Sequence, residues 1–176
     1  MNGKVSPAGR LPYTIYRSKA DLPPFDDYAM KNRTYRYFNG PVLHPFGHGL
    51  SYTSFAYEKA ALLATRVKAG EAVKASVTVR NTGSRDSDEV VQLYVAKPGD
   101  SANPVLAGFR RVHLKAGASQ LVTLDLDARA QSQVDARGAR KVVAGACTVH
   151  FGGGQSKYVS AVSAHMIVTG EAALPK

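Results

Sequence analysis

The sequence predicts an all-β protein, a β-sandwich preceded by an extended N-terminal arm. Three observations carry this. From residue 55 onward, short runs that alternate apolar and polar residues recur roughly every ten positions, the period-2 signature of half-buried strands. Clusters of Gly, Pro, Asn, Asp and Ser separate the runs. Before residue 55 the texture differs, because residues 1–54 hold six of the nine prolines and six of the nine tyrosines. Proline fixes φ and lacks a backbone donor, so this spacing forbids a long helix.

The elements follow in order. Leu11 to Tyr16 alternates and is expected as a strand in the arm. Ala60 to Lys68 reads equally as a helical turn or an edge strand. Val73, Ala75, Val77 and Val79 alternate with Lys74, Ser76, Thr78 and Arg80 and are broken by Asn81-Thr82-Gly83-Ser84. Val90 to Val95 forms the next strand, closed by Lys97-Pro98-Gly99-Asp100, and Phe109, Val112 and Leu114 the one after. Leu121, Val122, Leu124 and Leu126 follow the turn Lys115 to Ala118. Val142-Val143 and Thr148 to Phe151 give two strands joined through Gly145 and stopped by Gly152-Gly153-Gly154; a last strand is expected over Tyr158 to Val168. The expected division is an arm over 1–54, a sandwich over 55–170 and a tail over 171–176. The middle span has the ~100 residues that immunoglobulin-like and fibronectin-like sandwiches require.

Composition narrows the chemistry. The chain has 176 residues, 44% hydrophobic and 20% charged, which is a globular balance. Its single cysteine, Cys147, excludes an internal disulfide framework and a cysteine-based zinc site. No run of 18 apolar residues is present, so no membrane partner is expected, and the first ten residues lack the apolar core of a signal peptide. The net charge of +10 raises nucleic acid as a partner. The cations are spread thinly, however, and only Arg110-Arg111 and Arg137 to Lys141 approach clusters. A solvated sandwich face is the expected reading, with no nucleic-acid partner.

Candidate motifs give little catalysis. Asp26 and Asp27 are adjacent, so in extended chain they point to opposite faces and do not converge on one bond. Asp86, Asp88 and Glu89 read as solvated charges of a polar turn. His44 and His48 stand four apart, but Pro45, Gly47 and Gly49 forbid the helix that would align them on a metal. That hexapeptide reads as a tight turn in which Phe46 plugs a pocket. Cys147 sits in an alternating strand and is expected to be a buried thiol. No catalytic residue, cofactor or metal site is expected.

Several passages nevertheless carry a resemblance. They are Leu22-Pro23-Pro24-Phe25 through Asp27-Tyr28, Arg33-Thr34-Tyr35-Arg36-Tyr37-Phe38, and Pro45-Phe46-Gly47-His48-Gly49-Leu50-Ser51-Tyr52-Thr53. Further along come Val79-Arg80-Asn81-Thr82-Gly83, Glu89 to Val95 and Leu106-Ala107-Gly108-Phe109. Together they resemble the carboxy-terminal part of glycoside hydrolase family 3, the β-glucosidase and β-xylosidase group. The likeness departs at Gln131-Ser132-Gln133-Val134, where that group has aromatics, and at Gly145-Ala146-Cys147-Thr148, which replaces a Gly-x-Tyr.

The resemblance implies a fibronectin type III-like sandwich after the end of an α/β domain and its connecting segment. It also implies that the aspartate nucleophile and the general acid lie on domains upstream of anything matching this chain. The expected function is a non-catalytic accessory module that braces the catalytic domains of a periplasmic or secreted parent, its partner within one protein. A polysaccharide-binding module and a chain with residual glycosidase activity are the alternatives. Candidate carbohydrate- or domain-contact residues are Asp26, Asp27, Tyr28, Arg33, Tyr35, Arg36, Tyr37 and His48. The aromatic arm is further expected to promote self-association through residues 1–54.

Overall fold

A computed structural model describes residues 5–175. In chain order the strands are β1 (Ile15–Tyr16), β2 (Val42–His44), β3 (Phe55–Leu62), β4 (Arg66–Lys68), β5 (Val73–Asn81), β6 (Ser87–Ala96), β7 (Val105–Leu114), β8 (Ser119–Leu126), β9 (Gln133–Val134), β10 (Arg140–Val142), β11 (Gly145–Gly152), β12 (Val162–Thr169) and β13 (Ala172–Leu174). Two short α-helices, α1 (Thr34–Tyr37) and α2 (Ala128–Gln131), and one 3-10 turn (Lys19–Asp21) interrupt them. The chain is nearly all β, as its periodicity predicts.

Two sheets form the sandwich. One has five strands in the order β4-β12-β11-β6-β7, and the other has three in the order β3-β5-β8. All neighbours are antiparallel except β12 and β4. Along β5 every second residue is buried: Val73, Ala75, Val77 and Val79 face inward. They meet Val91, Leu93 and Val95 of β6, Val122 and Leu126 of β8, and Cys147, Val149 and Phe151 of β11. Burying one such Val or Leu contributes about 1.5–3 kcal/mol, so this interleaved layer dominates stability. The edge strand β3 carries a bulge: its register with β5 shifts between Glu58 and Ala61, and Lys59 adopts φ 56°. Such a kink blunts an edge that would otherwise template another strand.

Strand β6 breaks the alternation, since residues 91–95 are buried on both faces. The cause is the arm, which lies across the outer face of the five-stranded sheet over Gln92 and Tyr94. The hairpin-like pair β1-β2 belongs to this arm.

Four expectations need correction. Of Leu11 to Tyr16 only Ile15–Tyr16 pairs as a strand; Pro12 has no donor, and Leu11 instead exchanges bonds with Gly47 and His48 (both 2.8 Å). The last strand begins at Val162 because Tyr158 and Val159 bond back to Gln155 in a turn. Asp88 and Glu89 lie within β6 rather than in a turn. Ala172–Leu174, inside the expected tail, forms β13 and pairs with β10; Lys176 lies outside the described residues. Where the sequence left Ala60 to Lys68 open, the chain is strand at both ends.

Candidate functional site

The arm has two faces, and the residues that hold it down were chosen by chemistry the sequence only partly reveals. The turn α1 is clamped from the sandwich side. Asn103 Nδ2 donates to Tyr35 O (2.8 Å) and Phe38 O (3.1 Å), and Gln155 Nε2 donates to Tyr35 O (3.2 Å). The Tyr35 hydroxyl accepts from Leu106 N (3.1 Å), while its ring stacks on Phe46 (4.3 Å) and meets Tyr94 edge-on (6.4 Å). Beneath, Tyr94 donates to Gln92 Oε1 (2.5 Å), and burial raises the Tyr94 pKa, keeping the hydroxyl a donor. Arg36 pairs with Asp100, and its guanidinium lies 5.7 Å from the Tyr37 ring.

A second clamp sits at the open mouth between the sheets. Arg10 Nη2 reaches Glu89 Oε2 at 2.5 Å, and Tyr57 of β3 donates its hydroxyl to Glu89 Oε1 at 2.6 Å. The Glu89 side chain is only 2% exposed. A buried carboxylate without a partner is strongly unfavourable, so the arm's guanidinium completes the sandwich as much as it fastens the arm. Burial, then the Glu89 charge, raises the Tyr57 pKa and fixes it as a hydrogen-bond donor. Gly153 is part of the fit, because a Cβ there would stand 2.6 Å from Glu89 Oε1 and 2.9 Å from Arg10 Nη2. The surrounding cleft, about 570 Å³, is bordered by Ser51, Ser54, Tyr57 and Val162.

At the third contact Gly47 (φ 82°) brings the arm's backbone onto Gly154; a Cβ on Gly47 would lie 2.7 Å from Gly154 Cα. This turn stacks the His44 and His48 rings 4.4 Å apart. Burial, then His44 and Arg10, lowers the His48 pKa and so disfavours its charged form. The expected tight turn is present, with Phe46 against Tyr35. Among the described residues, no group of three or more His, Cys, Asp or Glu is placed to hold a metal.

The outward face is different. Phe25 is 98% exposed and Tyr28 87% exposed, with Leu22, Met30, Leu43 and Leu50 also largely open. The loop that presents Phe25 and Tyr28 is organised by its own backbone: Arg33 Nε donates to Ala29 O (2.9 Å), Arg33 also bonds Asp27 O, and Asp27 Oδ1 accepts from Ala29 N (2.8 Å). Pro12, Tyr13, Tyr16, Leu22, Pro23 and Phe46 border an adjacent groove of about 470 Å³.

The sequence candidates therefore separate into three groups. Asp27, Tyr28 and Arg33 share the presented loop, with Asp26 exposed beside them. Arg36 pairs with Asp100 and lies over the Tyr37 ring, and Tyr35 faces inward as part of the clamp. His48 stands apart with His44. Sequence reasoning missed Arg10, Glu89 and Tyr57. The signal for Glu89 was its register, since Glu89, Val91, Leu93 and Val95 fall on one face of a strand whose period is two.

Among the described residues no helix is long and apolar enough to cross a membrane. A fibronectin type III-like domain model matches residues 89–155. The chain is 40% identical over 126 residues to a xylan 1,4-β-xylosidase of Xylanibacter ruminicola, covering 70% of this chain and 14% of that protein. It is 35% identical over 144 residues to a periplasmic β-glucosidase of Salmonella typhimurium, covering 73% of this chain and 19% of that protein. In structure it resembles the GH3 β-glucosidase of Bifidobacterium adolescentis, with a TM-score of 0.78 and 34% identity over 94% of this chain and 26% of that one. The chain thus spans about a quarter or less of the proteins it resembles. It carries a fibronectin type III-like domain and matches, arm included, the C-terminal region of family 3 glycoside hydrolases of β-glucosidase and β-xylosidase type.

Proposed function

We propose that the chain is a non-catalytic accessory module that braces the catalytic domains of a family 3 glycoside hydrolase. The observation that carries this reading is the division of the arm. One face is bonded to the sandwich through Arg10, Tyr35 and Arg36 and packed closely on it at Gly47, and the other presents Leu22, Phe25, Tyr28 and Met30 to solvent. Several large apolar side chains exposed on one ordered segment mark an interaction surface. In this reading its partner is the α/β body of the parent enzyme, which lies within the same protein. Likeness to part of much longer glycosidases supports that assignment. The parent's substrates are β-glucosides or β-xylosides, and its place is outside the cell or in the periplasm, the latter being what the name of the Salmonella relative states for that protein.

The exposed Tyr28 and Tyr37 rings favour polysaccharide binding as the second reading, since aromatic faces receive sugar rings. A pull-down on insoluble cellulose and xylan separates the two. A brace stays in the supernatant, and a binding module sediments and is released by Tyr28→Ala with Tyr37→Ala. An aryl-glycoside assay on the purified chain tests the bracing role against residual glycosidase activity. Turnover abolished by Asp26→Asn or Asp27→Asn would overturn the accessory reading.

A further inference from the structure

We infer that a third cleft, at the end of β6, is a binding site for a small oxyanion. It lies where β6 ends, between the start of β7, helix α2 and β10, with a volume of about 310 Å³. Three cations border it: Lys97 from the residue after β6, Arg129 from α2 and Arg140 from the first residue of β10. The sequence shows these as scattered charges; the fold gathers them.

Ser132 holds two of them together. Lys97 Nζ donates to its backbone carbonyl, and Arg140 Nη1 donates to its hydroxyl at 3.0 Å. Ser132 is itself fully buried and bonded to Arg129 O at 2.7 Å. Two like charges anchored on one buried residue repel, and among the described residues none of the three cations forms a salt bridge. The nearby acids are committed elsewhere. Asp100 pairs with Arg36, and Asp127, the one acid on the wall, accepts from Ala130 N at 2.7 Å as the cap of α2. The wall therefore keeps a surplus of positive charge beside apolar Val105, Leu106 and Ala107. Burial, followed by Arg36 and Arg140, lowers the Lys97 pKa, with Asp100 and Cys147 opposing. An oxyanion seated among Lys97, Arg129 and Arg140 supplies that charge through charge-assisted hydrogen bonds. Phosphate and sugar carboxylates share this chemistry.

Isothermal titration of the 176-residue chain at constant ionic strength tests the site, with inorganic phosphate, D-glucuronate and uncharged glucose as separate probes. Saturable 1:1 binding of phosphate or glucuronate is expected, and the stronger arm identifies the source of the oxyanion. Arg129→Gln, at an exposed position, should weaken binding ~10-fold or more, the value of one charge-assisted bond. Lys97→Met should weaken it further, with circular dichroism checking that Ser132's loss of a donor leaves the fold intact. Arg66→Gln, on β4 at the opposite edge of the sheet, should change nothing. Absence of saturation with both anions, an equal response to glucose, or an equal loss with Arg66→Gln would overturn the site.

Discussion

Arg10 and Glu89, 79 positions apart, form a largely buried ion pair that joins the arm to the space between the two sheets. A third group, the Tyr57 hydroxyl, occupies the other carboxylate oxygen. The pair thus makes the arm a structural component of the sandwich. Losing one partner strands the other, whereas losing both removes the burden along with the bond.

Arg10→Met is therefore expected to cost about 3–5 kcal/mol in urea unfolding, as for other broken buried pairs. Arg10→Met combined with Glu89→Gln should cost clearly less than the sum of the two single changes. Additive losses would show that the two side chains do not act as a unit.

The Gly47 turn makes a steric prediction. Gly47→Ala forces a side chain into a left-handed conformation, at about 1–2 kcal/mol, and drives its Cβ onto Gly154 and Gln92. The melting temperature should fall, and amide exchange should rise at the arm's Leu11, whose N–H donates to His48 O beside this turn. A wild-type melting temperature would mean that the arm does not need this close approach.

Acid should loosen the same junction. His48 has its pKa lowered in the folded state by burial, His44 and Arg10, so the unfolded chain binds protons more readily. Its contribution is fully present above the unfolded value near 6.5 and is lost as pH falls through the lower folded value. Stability measured from pH 7.5 to 5 should decline, and His48→Gln should flatten that decline. An identical slope in the variant would remove His48 from the account.

Much of the fold was legible because alternation and turn chemistry are local. Val73 to Val79 announce a half-buried strand on their own, and Asn81 to Ser84 announce its end. The arm was legible only as texture. Nothing near Tyr35 indicates that its ring turns inward onto Tyr94, since that choice is made by Asn103 and Gln155, far along the chain. Glu89 was misread for a related reason. Its neighbours Asp86 and Asp88 are polar, and the guanidinium that makes its burial tolerable comes from residue 10. The cations at 97, 129 and 140 are likewise distant in sequence and adjacent only after β6, α2 and β10 pack.

The presented loop makes a prediction for the chain alone. With Phe25 and Tyr28 open to water, the purified protein should enhance the fluorescence of a hydrophobic dye and self-associate on concentration. Phe25→Ser with Tyr28→Ser should reduce both without lowering the melting temperature, because neither ring contributes to the core. A dye-silent monomer in the unsubstituted protein would contradict the open face.

The bracing role is tested most directly by complementation. The Bifidobacterium adolescentis β-glucosidase, produced without the region that matches this chain, would be titrated with the 176-residue protein and binding followed by calorimetry. A saturable complex is predicted, weakened at least ~10-fold by Phe25→Ser with Tyr28→Ser, as for the loss of aromatic anchors from an interface. No complex, or one indifferent to both substitutions, would contradict the claim that this face docks on a catalytic body.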